Sequence, residues 1–287
     1  MVAVGDVISS YTLERELGGT MSKVFAVKGD SAVLKLNKYT PYRIEKECDE
    51  LFRNEIRVTK ELNSYPCFPN FIENGRYGTL DYMVMENIAG LNLGEFYKNE
   101  RKDIDHDEFL RNAMTTLRNT AIALDVMHTL GIIHGDIKPK NVFYIPGSYD
   151  IVLYDFGSSN YGIQEEKDDK TLLRYNIEKI RVTPFFVSPE QLEVYFYSSS
   201  ADIFSFGIAA SLVLANVHPR LEINKKNKYT FTEVLNFMRS FKITHRLTDH
   251  GVPKKLAEVV EACLDKEKNR PTSIELVDDL NDLLEAV

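Results

Sequence analysis

The run His134-Gly135-Asp136-Ile137-Lys138-Pro139-Lys140-Asn141 packs a carboxylate, two amines and a carboxamide into eight residues. Fourteen residues after Asn141 stands Asp155-Phe156-Gly157, in an apolar, strand-like setting. Phosphoryl transfer needs a carboxylate that orients an attacking hydroxyl and takes its proton, a cation near the moving phosphate, and hard oxygen ligands for magnesium. Asp136 is of the first type and Lys138 of the second, while Asn141 and Asp155 carry the oxygens that Mg²⁺ prefers. A lone loop aspartate is ordinarily a turn or cap residue. Several such residues in one register ask for a common chemical purpose.

The elements around them change character along the chain. Tyr11 to Leu17, Val24 to Val27 and Ala32 to Leu36 are short β-rich runs split by Gly18-Gly19 and Gly29-Asp30, the pattern of a three-stranded antiparallel meander. Glu45 to Leu62 is a charged amphipathic helix, and Phe71 to Glu73 and Tyr82 to Glu86 read as two further strands. Beyond Asn87 to Gly90 long helices take over. Asp107 to Leu130 places Leu110, Met114, Leu117, Ala121, Leu124 and Met127 at helical spacing. Similar periodicity marks Ile203 to Ala215, Thr230 to Phe241, Lys255 to Leu264 and Ser273 to Leu284. Thr230 with Glu233 and Thr272 with Glu275 are capping boxes, which fix two helix starts.

Bulk properties narrow the function classes. A chain of 287 residues with 44% hydrophobic content buries a full core. Lys and Arg number 35 against 43 Asp and Glu, and a net charge of -8 speaks against a surface built to hold nucleic acid or anionic lipid. Cys48, Cys67 and Cys263 are far apart and in no metal-ligand spacing, as expected of a reducing compartment. Met1 to Ser10 has neither a basic region nor an apolar run, and no stretch of roughly 18 apolar residues follows. The expectation is a chain without a membrane span that works in the cytoplasm, or in a host's cytosol if it is an injected effector.

The two segments around Asp136 and Asp155 resemble the catalytic loop and magnesium loop of the eukaryotic-type protein kinase family, and further landmarks of that family follow in chain order from Leu17 to Arg270. The resemblance implies an α+β fold of two lobes in one kinase domain over residues 1–287: a small five-stranded antiparallel β lobe with one main helix over about 1–88, and a larger, mainly helical lobe over about 89–287. It implies ATP and Mg²⁺ as cofactors, with Asn141 and Asp155 as metal ligands. It makes Asp136 and Lys138 catalytic, with Thr183 placed to hydrogen-bond both. Lys35, in Ala32-Val33-Leu34-Lys35, matches the strand lysine that holds the α- and β-phosphates. Glu55 stands about where the family puts its helix glutamate partner, Glu50 being too early and Glu61 too late. Nucleotide contacts are implied at Leu17, Gly18, Gly19, Thr20, Val24, Val33, Lys35 and Phe143. Tyr82 to Gly90 matches the hinge strand, with Met85 at the back of the adenine pocket, Glu86 and Ile88 offering main-chain groups, and Asn92 near the ribose. Thr183 to Glu190 resembles the end of the activation segment, and Asp202 to Gly207 the buried central helix, with Phe204 for the usual tryptophan. Glu190 and Arg270 are then expected to pair, and Asp202 to brace the catalytic loop through its backbone amides. Lys138 and Thr183 match the serine/threonine class, so the implied partner is a protein substrate, with room left for an activating protein partner.

Three departures matter. The family's Gly-x-Gly-x-x-Gly-x-Val becomes Gly18-Gly19-Thr20-Met21-Ser22-Lys23-Val24, with Ser22 at the third glycine and one residue fewer in the hairpin. Gly135 replaces the arginine that usually precedes the catalytic aspartate, so no side chain there clamps a phosphate on the activation segment. Activity is therefore expected without phosphorylation between Ser158 and Val182. Third, Gln164 to Lys170 is charged and reads as a solvated mobile loop, as the Lys225-Lys226-Asn227-Lys228 run reads as a soluble turn. Two other readings remain open: a pseudokinase that binds nucleotide without turnover, and a small-molecule phosphotransferase of the aminoglycoside or choline kinase type. Lys138, Asp155-Phe156-Gly157 and Ser188-Pro189-Glu190 speak against the second.

Overall fold

The computed structural model describes residues 2–19, 22–29, 31–37, 45–100, 104–145, 150–167, 170–176, 183, 185–194, 196–219 and 230–286. The chain divides into two compact units, Met1–Ala89 with Tyr154–Ser158, and Gly90–Leu153 with Ser159–Val287.

The first unit is an antiparallel sheet backed by a helix. Strands β1 (Val7–Ile8), β2 (Tyr11–Gly18), β3 (Ser22–Val27), β4 (Ala32–Asn37), β5 (Phe71–Tyr77) and β6 (Leu80–Glu86) pair in the order β1-β2-β3-β4-β6-β5. The five expected strands are present, and two-residue β1 extends the edge beside β2. One face is sealed by Ile8, Leu13, Phe25, Val27, Leu34, Leu36 and Val84. Against the sheet lies α1 (Glu45–Glu61), whose Phe52 and Ile56 bury against Met83, with Phe71 and Met85 closing the cluster. Position 55 lies one step from this seam, so packing Phe52 and Ile56 inward carries Glu55 inward too. Its residue is only 4% exposed.

The second unit is mainly helical. The described helices are α2 (Leu93–Glu100), α3 (His106–Thr129), α4 (Pro189–Val194), α5 (Ser199–Ala215), α6 (Phe231–Ser240), α7 (Thr244–Asp249), α8 (Lys254–Ala262) and α9 (Ser273–Glu285). Both capping boxes form, Thr230 with Glu233 on α6 and Thr272 with Glu275 on α9. Buried side chains surround α5 on all sides, as an apolar, non-amphipathic sequence requires of a central helix. Short strands carry the loops: β7 (Leu91–Asn92), β9 (Val142–Tyr144) and β10 (Ile151–Leu153) form one small sheet, and β8 (Ile132–Ile133) pairs with β11 (Asn160–Tyr161).

The segment expected to be a solvated loop is different. Strands β12 (Ile163–Lys167) and β13 (Lys170–Asn176) form an antiparallel hairpin, and β13 pairs on its other side with β14 (Phe196–Ser198). The charge of this stretch does not prevent pairing, because strand hydrogen bonds come from the backbone. The Lys225–Lys228 run and Thr20 lie outside the described residues. Among those described, no helix is long and apolar enough to cross a membrane.

Candidate active site

In the first unit, β4 and α1 bring Lys35 and Glu55 together, twenty residues apart in sequence. Lys35 Nζ donates to Glu55 Oε1 and, at 3.1 Å, to Asp155 Oδ1. Lys35 is 8% exposed, and burial alone would lower its pKa. The facing Glu55 and Asp155 carboxylates outweigh that cost and hold its pKa above the ordinary lysine value. Asp155 adopts a left-handed backbone, φ 68°, a region aspartate enters more readily than bulkier residues. Its side chain remains 41% exposed, so the Lys35 contact leaves it open to solvent. Next to it Phe156 packs edge-on to Phe68, ring centroids 5.9 Å apart, which anchors the turn that presents Asp155.

The sheet sets the remaining first-unit positions. Gly18 pairs with Val24, Val24 with Lys35, and Val33 with Met85. Gly18 and Gly19 have φ of 108° and 118°, and a Cβ on Gly19 would stand 2.2 Å from Ser22 O. The turn therefore demands glycine at position 19 even though its spacing is irregular. Leu17 is 43% exposed at the mouth of this hairpin. Met85 and Ile88 are half-buried. Glu86 is exposed, and it exchanges bonds with Asn70: its amide donates to Asn70 O at 2.8 Å and its carboxylate accepts from Asn70 Nδ2 at 2.8 Å.

In the second unit a second cluster forms around Asp136. Thr183 Oγ1 donates to Asp136 Oδ1 at 2.6 Å, and Lys138 Nζ donates both to Asp136 Oδ2 and, at 3.0 Å, to Thr183 Oγ1. Asn141 Nδ2 donates to Asp136 O at 2.8 Å, which leaves Oδ1 as the acceptor atom of the carboxamide. The loop holding these groups is braced by Asp202 on α5, whose Oδ2 and Oδ1 accept from His134 N and Gly135 N, both at 2.8 Å. Gly135 sits at φ 78°, a conformation its lack of Cβ makes inexpensive.

Sequence reasoning had not picked out His128. Its Nε2 lies 3.1 Å from Asp202 Oδ2 and its Nδ1 3.2 Å from Ser273 Oγ, and Ser273 donates in turn to Asp125 Oδ1 at 2.9 Å. Nothing in its own helix singled it out, because its partners Asp202 and Ser273 are more than 70 residues away. Glu190 and Arg270 pair in two-pronged fashion, Nη2 to Oε2 being 3.0 Å, and the guanidinium lies 4.8 Å from the Phe204 ring centroid. Asn92 and Phe143 face each other across β7 and β9. The Asn92 side chain is engaged locally, accepting from Glu95 N at 3.1 Å and donating to the Glu95 carboxylate at 2.6 Å, so it caps α2.

Comparison with known proteins agrees with this geometry. The family model described as "Protein kinase domain" matches residues 11–280. The chain belongs to the protein kinase family. It is 28% identical over 234 residues to a calcium/calmodulin-dependent protein kinase type 1 of Macrobrachium nipponense, covering 80% of this chain and 62% of that protein. Its likeness to the Caenorhabditis elegans protein of that name is 27% over 227 residues, 76% of this chain and 60% of the other. A serine/threonine-protein kinase of Drosophila erecta is 27% identical over 241 residues, 81% of this chain and 30% of the relative. The chain thus spans about 60% of the length of the first two relatives and 30% of the third.

Proposed function

We propose that this protein kinase domain, residues 1–287, transfers the γ-phosphate of ATP to serine or threonine hydroxyls of a protein substrate and works in the cytoplasm. The observation that carries the reading is the Asp136–Lys138–Thr183 triangle. Asp136 accepts a hydrogen bond from the Thr183 hydroxyl on one oxygen and from the Lys138 ammonium on the other, so its carboxylate is held in one orientation before substrate arrives. A substrate hydroxyl brought to that carboxylate is oriented for attack and gives up its proton there. Lys138 supplies positive charge beside the oxygen that is losing its proton. The serine/threonine assignment draws on Lys138 and Thr183 together and on the names of the relatives.

Lys35, kept charged by Glu55 and Asp155, suits phosphate binding. The donor set also fits magnesium: Asn141 offers Oδ1 because Nδ2 is committed to Asp136 O, and Asp155 keeps a solvent-exposed carboxylate. Magnesium, when bound, neutralises charge on the phosphates. Asn141 and Asp155 would hold it.

The test is transfer of labelled γ-phosphate from Mg-ATP to a generic protein substrate, compared with Asp136→Asn, followed by phosphoamino-acid identification. Label on serine or threonine that falls at least about 100-fold in the variant is expected, given the usual worth of a positioned base. Nucleotide binding with no transfer by the parent chain would instead identify a nucleotide-binding module.

A further inference from the structure

Helix α1 rests on the sheet through an apolar seam, Phe52 and Ile56 against Met83. The hydrophobic effect is non-directional, so such a seam sets the distance of a helix better than its roll. At about 100° per residue, Glu55 sits about 80° to one side of the middle of this seam and Arg53 about 80° to the other. Each flank carries a directed bond to the sheet. Glu55 meets Lys35 on β4, and Arg53 Nε donates to Asp81 Oδ2 on β6 at 3.0 Å.

The Asp81 carboxylate is held ready for that bond. Its side chain is 8% exposed, and Arg76, directly opposite on β5, pairs with the other oxygen, Nε to Oδ1 being 3.2 Å. One arginine neutralises a carboxylate, and the hairpin supplies that one itself. The second comes from the helix, two residues before Glu55. Ion pairs of exposed side chains contribute little stability, and Arg53 and Arg76 are 57% and 60% exposed. Here the acceptor is buried and both its oxygens are engaged, so the Arg53 bond supplies direction where it adds little stability. The same end of the sheet holds the helix once more. Asn37, like Asp81, lies one residue beyond the Leu36–Tyr82 pair, and its Nδ2 donates to Asp49 Oδ1 at 2.9 Å, while Asp49 Oδ2 lies 3.8 Å from Arg53.

We infer that Arg53 is a positioning residue for phosphoryl transfer: bonded to buried Asp81, it fixes the roll of α1 and so keeps Glu55 turned to Lys35. The inference rests on the function proposed above, in which Lys35 must be held in place. With a side-chain tip roughly 6 Å from the helix axis, a roll of about 20° carries the Glu55 carboxylate about 2 Å, which is enough to break its bond to Lys35.

The test compares the full chain with Arg53→Met, Arg53→Lys, Glu55→Gln and the double variant Arg53→Met/Glu55→Gln. Methionine keeps the aliphatic stem, and Asp81 keeps Arg76, so no buried charge is stranded. Two quantities are read: acetylation of Lys35 by limiting acetic anhydride without nucleotide, followed by peptide mass spectrometry, and transfer of labelled γ-phosphate from Mg-ATP. Arg53→Met is expected to unfold within a few degrees of the parent and to raise Lys35 acetylation at least about threefold, since a lysine parted from its carboxylate gives up its proton more readily. Transfer should fall at least about fivefold, the scale on which misplaced groups act, and Arg53→Lys should recover most of both. In the Glu55→Gln background the same substitution should change neither, because the group it acts through is already disabled. Unchanged acetylation or unchanged transfer in Arg53→Met, equal fold-changes with and without Glu55, or a variant that does not fold would overturn the inference, the last because Arg53 would then serve the fold alone. A parent chain without transfer would sink the proposed function, and the acetylation comparison, which needs no ATP, would still decide whether Arg53 orients the pair.

Discussion

At the residue scale, the three charges Lys35, Glu55 and Asp155 show how burial turns an ordinary lysine into a fixed cation. A buried ammonium facing one carboxylate and touching a second stays charged across the physiological range, while the carboxylates lose the freedom to rotate. The cost lies in stability, because a buried ion pair gains little over well-packed apolar groups. Lys35→Met should therefore remove phosphoryl transfer and also destabilise the fold by about 3–5 kcal/mol, since it strands Glu55 at 4% exposure. In Lys35→Met/Glu55→Leu, thermal unfolding should recover most of that loss while transfer stays absent. A double variant as unstable as the single one would show that the pair holds the unit together by more than charge balance. Asp136, Lys138, Asn141 and Asp155 stood out in the sequence because their spacing within short segments is distinctive, whereas Lys35 was singled out by the family resemblance. Glu55 was harder, standing on a helix rich in carboxylates, and only the inward seam of Phe52 and Ile56 separates it from Glu50 and Glu61. His128 and Ser273 carried no local signal, since what gives them a purpose is Asp202, far off in the chain.

At the scale of elements, legibility followed the range of the forces. The capping boxes of α6 and α9 could be read because three residues determine them. The hairpin of β12 and β13 could not. Its strands lack apolar alternation, and the partner that completes the sheet, β14, begins twenty residues after β13 ends. The start of α7 is another long-range cap: Glu261 on α8 accepts from Ile243 N at 3.0 Å, Thr244 N at 2.7 Å and Thr244 Oγ1 at 2.6 Å. Burial pushes the Glu261 carboxyl up, but these donors outweigh it and bring its pKa down to about 2. A carboxyl depressed on folding contributes its full stability above the unfolded value of 4.5 and loses it as pH falls toward 2. In urea unfolding, Glu261→Gln should be less stable than the parent by about 1 kcal/mol near neutral pH, the usual worth of a cap. The gap should narrow below pH 4.5 and close near pH 2. A gap that does not change with pH would mean that the shape of the side chain matters and its charge does not.

At the scale of the whole molecule, the absence of a side chain at Gly135 bears on regulation. Where an arginine precedes the catalytic aspartate, it can gather a phosphate from the activation segment and order that segment by charge. Here the position is glycine at φ 78°, tied through its amide to Asp202. Order comes from the backbone instead. Strand β11 pairs with β8, directly ahead of the loop that carries Asp136, and β13 pairs with β14, directly ahead of α5. Thr183 then joins the segment's far end to Asp136 and Lys138. Among the described residues each of these ties is made by an uncharged group or by Asp136 and Lys138, so none of them waits for a phosphate. Phosphatase-treated chain, verified by mass spectrometry to carry no phosphate, should transfer label at a rate within about twofold of untreated chain. Thr171→Ala and Tyr175→Phe should do the same, because strand pairing by β13 uses backbone groups that both substitutions retain. A treated chain that is inert until one of these residues is modified again would place a phosphate-binding cation somewhere other than position 135, and would make the hairpin a switched element in place of a preformed one.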